Sequence, residues 1–94
     1  MKSPEGFEKD AIKKYLQANG YWFFSPLMAG YGASGMPDLC ACKNGAFVAI
    51  EVKRPGKEPT PIQVRRINAI RAAGGIAIWG TAEKVIGELK VLFP

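Results

Sequence analysis

The sequence has 94 residues, of which 48% are hydrophobic, and it carries a formal net charge of +5 with no histidine. A chain of this length and composition builds one hydrophobic core, so we expect a single domain over residues 1–94 and exclude a disordered chain. No apolar run approaches the roughly 18 residues of a membrane span, and the first residues lack the apolar stretch of a signal peptide. We therefore expect a cytoplasmic protein of a prokaryotic or phage-infected cell, and the positive charge favours a polyanionic partner.

The residue types also restrict the chemistry. Cys40 and Cys42 are the only cysteines, and two thiolates without histidine cannot complete a tetrahedral zinc site. We expect both to be reduced, apolar residues of a strand. Histidine is the commonest general base in enzymes, so hydrolysis by this chain would depend on carboxylates, lysine or a metal ion.

The first predicted elements are a helix and an aromatic strand. Residues 3–5 (Ser-Pro-Glu) are typical of a helix N-terminus, with a capping hydroxyl, proline at the first helical position and an acid in the first turn. Apolar residues then recur at helical spacing until residues 19–20 (Asn-Gly) end the helix. Residues 21–24 (Tyr-Trp-Phe-Phe) predict a short strand, and core packing is favoured over a base-stacking platform. Residues 26–36 are rich in glycine and predict a loop that borders the substrate site.

The second half of the chain predicts a hairpin followed by a helix, a strand and a helix. Two β-type runs, residues 37–43 and 46–53, flank Asn44-Gly45, which is a strong signal for a two-residue hairpin turn. A helix is expected from Thr60 to residues 74–75, then a short buried strand at residues 76–79 and a last helix through about Leu89. The order α-β-β-β-α-β-α predicts an α/β domain with a small mixed sheet flanked by helices.

The hairpin predicts a pair of acids at one place on the sheet. If Asn44 and Gly45 are the central residues of a type I′ turn, the register places Asp38 opposite Glu51, and alternation along the strand sends Lys53 to the same face. Facing carboxylates repel unless a cation compensates, and carboxylate oxygens are the ligands that Mg²⁺ and Mn²⁺ prefer. Two alternatives remain: a longer, bulged turn would break the alignment, or the acids end their strands with Lys53 as a solvated partner.

These residues resemble the signature of a known nuclease superfamily. Residues 37–38 (Pro-Asp) and 51–53 (Glu-Val-Lys) resemble the PD-(D/E)xK motif. Residues 35–36 (Gly-Met) before it, residues 63–66 (Gln-Val-Arg-Arg) after it and Glu8 on the first helix make the chain similar to the VRR-NUC, or virus-type replication-repair nuclease, family. The resemblance covers roughly residues 5–79.

The resemblance implies a restriction-endonuclease-like core and phosphodiester hydrolysis with Mg²⁺ or Mn²⁺. Asp38, Glu51 and the backbone carbonyl of Val52 would hold the metal ion, and the resemblance suggests Glu8 as a further ligand. It also implies a homodimer that cuts branched replication or repair DNA, as Holliday-junction resolvases do. Two alternatives are a restriction-type endonuclease that cuts a specific duplex sequence and a non-catalytic DNA-binding module with the same fold.

Three catalytic candidates besides the acid pair can be given roles. Lys53 would orient or deprotonate the attacking water and offset charge in the transition state. Gln63 fits a helix capping box with Thr60, but it also lies on the helix stripe that faces the sheet, and we favour a role in the site. Glu8 is interpreted equally well as a solvated acid near lysines and, from the resemblance, as a residue that supports the metal ligands or binds a second metal ion.

Four basic residues are expected to contact the DNA backbone. Arg54 and Lys57 lie in the loop after the catalytic strand, where substrate is met first. Arg65 and Arg66 are adjacent on a helix and point about 100° apart, so one would contact phosphate while the other forms a salt bridge or packs its stem. Contacts of this kind confer affinity without reading sequence.

Overall fold

Three helices flank a four-stranded sheet in the computed structural model of the chain, which describes residues 2–26 and 36–94. The order is the predicted α-β-β-β-α-β-α, and the last helix extends beyond the expected Leu89. None of the helices in these two ranges is long and apolar enough to span a bilayer. The glycine-rich loop predicted to border the substrate site lies, apart from its two end residues, outside the described residues. The elements are α1 (Pro4–Ala18), β1 (Trp22–Phe24), β2 (Leu39–Lys43), β3 (Ala46–Val52), α2 (Pro61–Ala72), β4 (Ile76–Gly80) and α3 (Ala82–Leu92).

The sheet is mixed, with the strands in the order β1-β2-β3-β4. β2 pairs antiparallel with both β1 and β3, whereas β4 pairs parallel with β3. A parallel pair needs a long crossover connection, and α2 provides it. The ends of β3 and β4 therefore lie side by side at one edge of the sheet, where the start of β2 also lies.

The hairpin between β2 and β3 has the predicted register. Asn44 and Gly45 have positive φ angles of 51° and 81°, as a type I′ turn requires. Lys43 pairs with Ala46, and the ladder continues without a bulge to Leu39 opposite Ile50. The alternative of a longer turn is excluded, and the chain positions before Leu39 and after Ile50 are brought together.

Replacing Gly45 with alanine is expected to lower the free energy of unfolding by about 1–2 kcal/mol, because an L-residue is strained at this positive φ. A Cβ at Gly45 would meet nothing within 4 Å, so the effect would come from the backbone alone. Gly87 of α3 is the matched control, since its Cβ would also meet open space but its helical position favours alanine by roughly 0.5–1 kcal/mol. Thermal unfolding of both variants should give shifts of opposite sign, and two shifts of the same sign would contradict the turn assignment.

Helices cover the two faces of the sheet unequally. α1 and α3 lie on one face, where Ile12, Leu16, Val85 and Leu89 are fully buried in the main core. α2 alone lies on the other face and forms a smaller cluster around Ile67. Side chains of β3 alternate between these faces, so one set fills the main core and the other set faces α2.

The prediction that the aromatic strand packs in the core is wrong for half of its residues. Tyr21 is buried and Phe23 packs against the main core, as expected. Trp22 and Phe24 project to the opposite face and are 68% and 47% exposed. α2 packs over β3 and β4 and makes no comparable contact with β1, so among the described elements no helix covers these two rings.

Candidate active site

Two acids and a lysine meet at the edge of the sheet where β3 and β4 end. Asp38 directly precedes β2, and its Oδ2 accepts a hydrogen bond of 2.8 Å from the Val52 amide of β3. Glu51 and Lys53 are the only buried charged side chains among the residues that the structure describes. Their Oε2 and Nζ atoms lie 3.8 Å apart. The structure thus brings these three side chains together, as the hairpin register predicted. Their catalytic roles stay predictions.

The alternation of β3 explains why an acid interrupts an apolar run. Val48, Ile50 and Val52 point into the main core between the sheet and α1 and α3. Ala49 and Glu51 point to the face covered by α2, where the small Ala49 side chain allows the helix to approach. The acid therefore does not weaken the main core, and it lies at the end of the face that α2 only partly covers.

Gln63 forms the predicted capping box and also contacts Glu51, while a catalytic role for it stays a prediction. Its side-chain oxygen accepts a hydrogen bond of 2.9 Å from the Thr60 amide, which completes a capping box at the start of α2. Its Nε2 donates a hydrogen bond of 3.0 Å to Glu51 Oε2. The oxygen of the amide is held by the helix terminus, so the nitrogen is aimed at the acid pair.

Burial, followed by the hydrogen bond and the negative charge of Asp38, raises the pKa of Glu51 to about 8. Lys53 opposes this shift, and the charge of Glu5 adds to it. A buried carboxyl group beside another carboxylate ionises with difficulty, so Glu51 holds its proton more firmly than an exposed glutamate does. The acid pair is therefore a place where a positive charge is needed.

The donor set fits a divalent metal ion. In residues 2–26 and 36–94, no group of three or more His, Cys, Asp and Glu side chains is placed to hold a metal. Mg²⁺ usually keeps several waters and needs only one or two protein carboxylates. Asp38 and Glu51 would supply these two, and a bound cation would take the place of the proton on Glu51. The Val52 carbonyl, at the adjacent end of β3, remains a predicted third ligand.

The acid of α1 whose charge acts on Glu51 is not the one chosen on the sequence. Glu8 accepts a hydrogen bond of 2.8 Å from the Ala82 amide and thereby caps α3, so its role as a metal ligand stays a prediction. Glu5 is the α1 acid whose charge reaches Glu51. Ile12 and Leu16, the buried residues of α1, follow Glu5 by about two and three helical turns. This spacing is the signal in the sequence that could have identified Glu5.

Ser25 is a contact of the site that sequence reasoning missed. Its hydroxyl donates a hydrogen bond of 2.9 Å to the backbone carbonyl of Asp38 and accepts one of 2.8 Å from Lys9 Nζ of α1. This chain of contacts links α1 to the segment that carries Asp38. No local pattern could have predicted it, because the three residues are far apart in the sequence.

The predicted DNA-contacting residues divide into two groups. Arg54 and Lys57 are exposed and line a cleft together with Lys53. Arg66 is exposed on α2 and borders a small cavity that Glu51 and Gln63 also line. Arg65 is exposed on α2. Whether these four bind phosphate stays a prediction.

Comparisons with known proteins define the class of protein. No protein-family model matches the chain. The structure is similar to a solved structure described as "VRR_NUC domain", with a TM-score of 0.82 over 99% of this chain and 100% of that one and 24% sequence identity. The fold is therefore the VRR-NUC nuclease fold.

A relative identifies the family more closely. The chain is 36% identical over 74 residues to "Putative nuclease p44" of Acyrthosiphon pisum secondary endosymbiont phage 1, an alignment that covers 70% of this chain and 74% of the phage protein. At this identity and coverage the two proteins share a family, and with the fold this places the chain in the VRR-NUC nuclease family.

Proposed function

We propose that the chain is a metal-dependent DNA endonuclease that hydrolyses phosphodiester bonds in branched DNA, with Mg²⁺ or Mn²⁺ as its cofactor. The observation that carries this proposal is the cluster of Asp38, Glu51 and Lys53, in which two carboxyl groups and an ammonium group are held together with little exposure to water. The pKa of Glu51 is raised although Lys53 lies beside it, so ionising both acids is costly to the fold without a further cation. A bound metal ion would offset this cost and would place a cation where hydrolysis needs one.

The residues of the cluster can divide the work of hydrolysis. Asp38 and Glu51 would hold the metal ion, which supplies a Lewis acid and lowers the pKa of a bound water. Lys53 would orient the attacking water and offset the charge that builds on the phosphate oxygens. Gln63 would keep Glu51 in position through its hydrogen bond, and it could also bind the attacking water.

A substrate panel tests the proposed activity. Flap, splayed, four-way and linear duplex DNA would be incubated with the protein in Mg²⁺ or Mn²⁺, and Lys53→Ala would be the control for a contaminating nuclease. We expect cleavage of branched DNA at junctions, no cleavage with EDTA and none by Lys53→Ala. Cleavage of one duplex sequence regardless of branching would favour the restriction-type alternative. A protein that binds every substrate but cuts none would favour the non-catalytic alternative.

We also propose that two copies of the chain associate through the part of the sheet around Trp22 and Phe24, which no helix in residues 2–26 and 36–94 covers. Trp22 pairs with Cys42, and Cys42 pairs with Phe47, so three side chains form a row across β1, β2 and β3 beside Phe24. At roughly 200 Å² per aromatic side chain, the exposed fractions of Trp22, Phe24 and Phe47 amount to about 300 Å² of apolar surface. This is the size of the largest apolar patch on many monomeric proteins, and such patches are often functional. A twofold axis would bury one patch against the other.

The double substitution Trp22→Gln with Phe24→Gln is expected to convert a dimer into a monomer in sedimentation equilibrium. Both changes leave the net charge unaltered, so DNA affinity would not change through charge. Phe7→Gln is the matched control, because Phe7 is 62% exposed but lies on α1. A native protein that is monomeric at tens of micromolar, or a double variant that remains dimeric, would refute this surface as the interface.

A further inference from the structure

A basic cleft lies beside the acid pair, between the loop that follows β3 and the start of α3. Its volume is about 410 Å³, which is enough for a nucleotide-sized group. Its lining includes four cationic side chains and one acid, Glu58; the cations are Lys53, Arg54, Lys57 and Lys84. A water-filled cleft with this excess of positive charge attracts an anion.

The cleft and the acid pair are continuous. Parallel pairing of β3 with β4 places Glu51 beside Trp79 and Val52 beside Gly80. The Lys53 amide donates a hydrogen bond of 2.8 Å to the Gly80 carbonyl, which fixes the end of β3 against the floor of the cleft. Lys53 itself belongs to both places. A DNA strand with one phosphate at the acid pair would therefore bring a neighbouring phosphate close to this cleft.

Lys84 is held in the cleft before any ligand arrives. Its ammonium group donates a hydrogen bond of 2.6 Å to the Trp79 carbonyl and lies 3.7 Å from the centre of the Trp79 ring. Its stem crosses Gly80 so closely that a Cβ there would lie 2.7 Å from Lys84 Cδ. A lysine fixed in this way loses less conformational entropy on binding than a free one.

Protection of the exposed edge of β4 does not use the full hydrogen-bonding capacity of Lys84. Arg71 forms the same kind of contact two residues earlier on β4, where its guanidinium donates to the Ala77 carbonyl. Charged side chains often cover the exposed edge of a sheet in this way. Lys84 uses one of its three ammonium hydrogens for the Trp79 carbonyl. Its ammonium group therefore keeps donor capacity for a ligand. Lys84 lines two clefts, and one of them contains the other cations.

We propose that this cleft is a phosphate subsite, and that Lys84 with Arg54 and Lys57 holds the internal phosphodiester next to the one being cleaved. The proposal rests on the proposed function, because it places the second phosphate relative to a first one at the acid pair. It assigns to Lys84 a substrate contact that would hold the strand in register for cleavage. The contact reads no base, so it serves any sequence.

The test combines a substitution in the protein with the removal of single charges from the DNA. A set of substrates would carry one neutral methylphosphonate at each position around the cleavage site. We expect one position adjacent to the scissile bond to raise KM about tenfold with the native protein, and Lys84→Gln to raise KM by a similar factor with unmodified DNA. At that one position the two changes should not add, because each removes the same contact.

Control variants make the result specific. Lys84→Arg should restore most of the affinity, since it restores the charge, and Lys90→Gln removes an exposed lysine from the last turn of the same helix and should behave as the native protein does. Circular dichroism and thermal unfolding would verify that Lys84→Gln is folded. Penalties that add at every position, or a native KM for Lys84→Gln, would overturn the subsite. So would tighter binding of a strand that ends with a terminal phosphate at this position than of the continuous strand.

Equilibrium binding separates failure of the subsite from failure of the proposed function. Measured in Ca²⁺ as a function of salt, the logarithmic slope of binding should fall by about 0.7–0.9 for Lys84→Gln, which is the value for one lost phosphate contact. This measurement does not need cleavage. If Lys84→Gln lowers the slope but the native protein cuts no substrate, the subsite is retained and the proposed nuclease activity is refuted. If the native protein cleaves DNA but Lys84→Gln leaves the slope unchanged, the nuclease activity is retained and the subsite is refuted.

Discussion

Asp38→Asn is expected to lower the cleavage rate at saturating DNA by about 10³-fold or more. The carboxylate would lose the charge that a metal ion requires, while the amide oxygen could still accept the hydrogen bond that Asp38 Oδ2 receives from the Val52 amide. The shape of the site and the link between β2 and β3 would then be preserved. The loss would appear in kcat and in metal affinity rather than in stability.

Single-turnover cleavage and isothermal titration with Mn²⁺ would measure the two effects. Glu88→Gln is the control, since Glu88 is an exposed acid on α3 and the change removes the same charge. Rates of the native protein and of Glu88→Gln should agree within about twofold. Asp38→Asn protein that cleaves at the native rate would show that this carboxylate takes no part in the chemistry, and the proposed metal site would be lost with it.

The sequence was sufficient for those parts of the site that depend on local geometry. A two-residue turn at Asn44-Gly45 determines the whole register of the hairpin, and strand alternation then determines the face on which Asp38, Glu51 and Lys53 lie. The capping box of α2 is equally local and places Gln63. Each of these inferences uses spacing within one element or across one tight turn, so small errors do not accumulate.

The parts that could not be predicted depend on how separate elements pack. Trp22 and Phe24 are exposed because α2 covers β3 and β4, and nothing within β1 indicates where α2 will lie. Ser25 and Lys84 are positioned by tertiary contacts with other elements. Glu5 is an intermediate case, because its helical spacing was visible but its distance to Glu51 depends on how α1 packs on the sheet.

Glu51→Gln is expected to stabilise the metal-free protein at pH 8 while abolishing cleavage. Glutamine would accept the hydrogen bond from Gln63 and donate one to Asp38, as a protonated Glu51 does. It would remove the free-energy cost of ionising a buried acid beside another acid. Solvent and Lys53 reduce that cost, so we expect a gain on the order of 1–2 kcal/mol, or roughly 5–10 °C in Tm.

The pH dependence follows from the direction of the pKa shift. Burial and Asp38 raise the pKa of Glu51 from 4.5 to about 8 in the folded protein, so between these values the unfolded chain binds fewer protons than the folded one. Stability of the native metal-free protein should therefore fall as pH rises from about 4.5 to 8 and change little above that on account of this group. Glu51→Gln should lack this fall, and the two proteins should unfold at similar temperatures near pH 5.

Metal ions should reverse the difference in thermal stability between the native protein and Glu51→Gln at pH 8. Mg²⁺ or Mn²⁺ would bind the ionised pair of the native protein in place of the proton, so it should raise the Tm of the native protein more at pH 8 than at pH 5. The same ions should have little effect on Glu51→Gln. A variant that is less stable than the native protein at pH 8 without metal would show that the acid pair carries no electrostatic cost. The physical reason for placing a metal ion between Asp38 and Glu51 would then be gone.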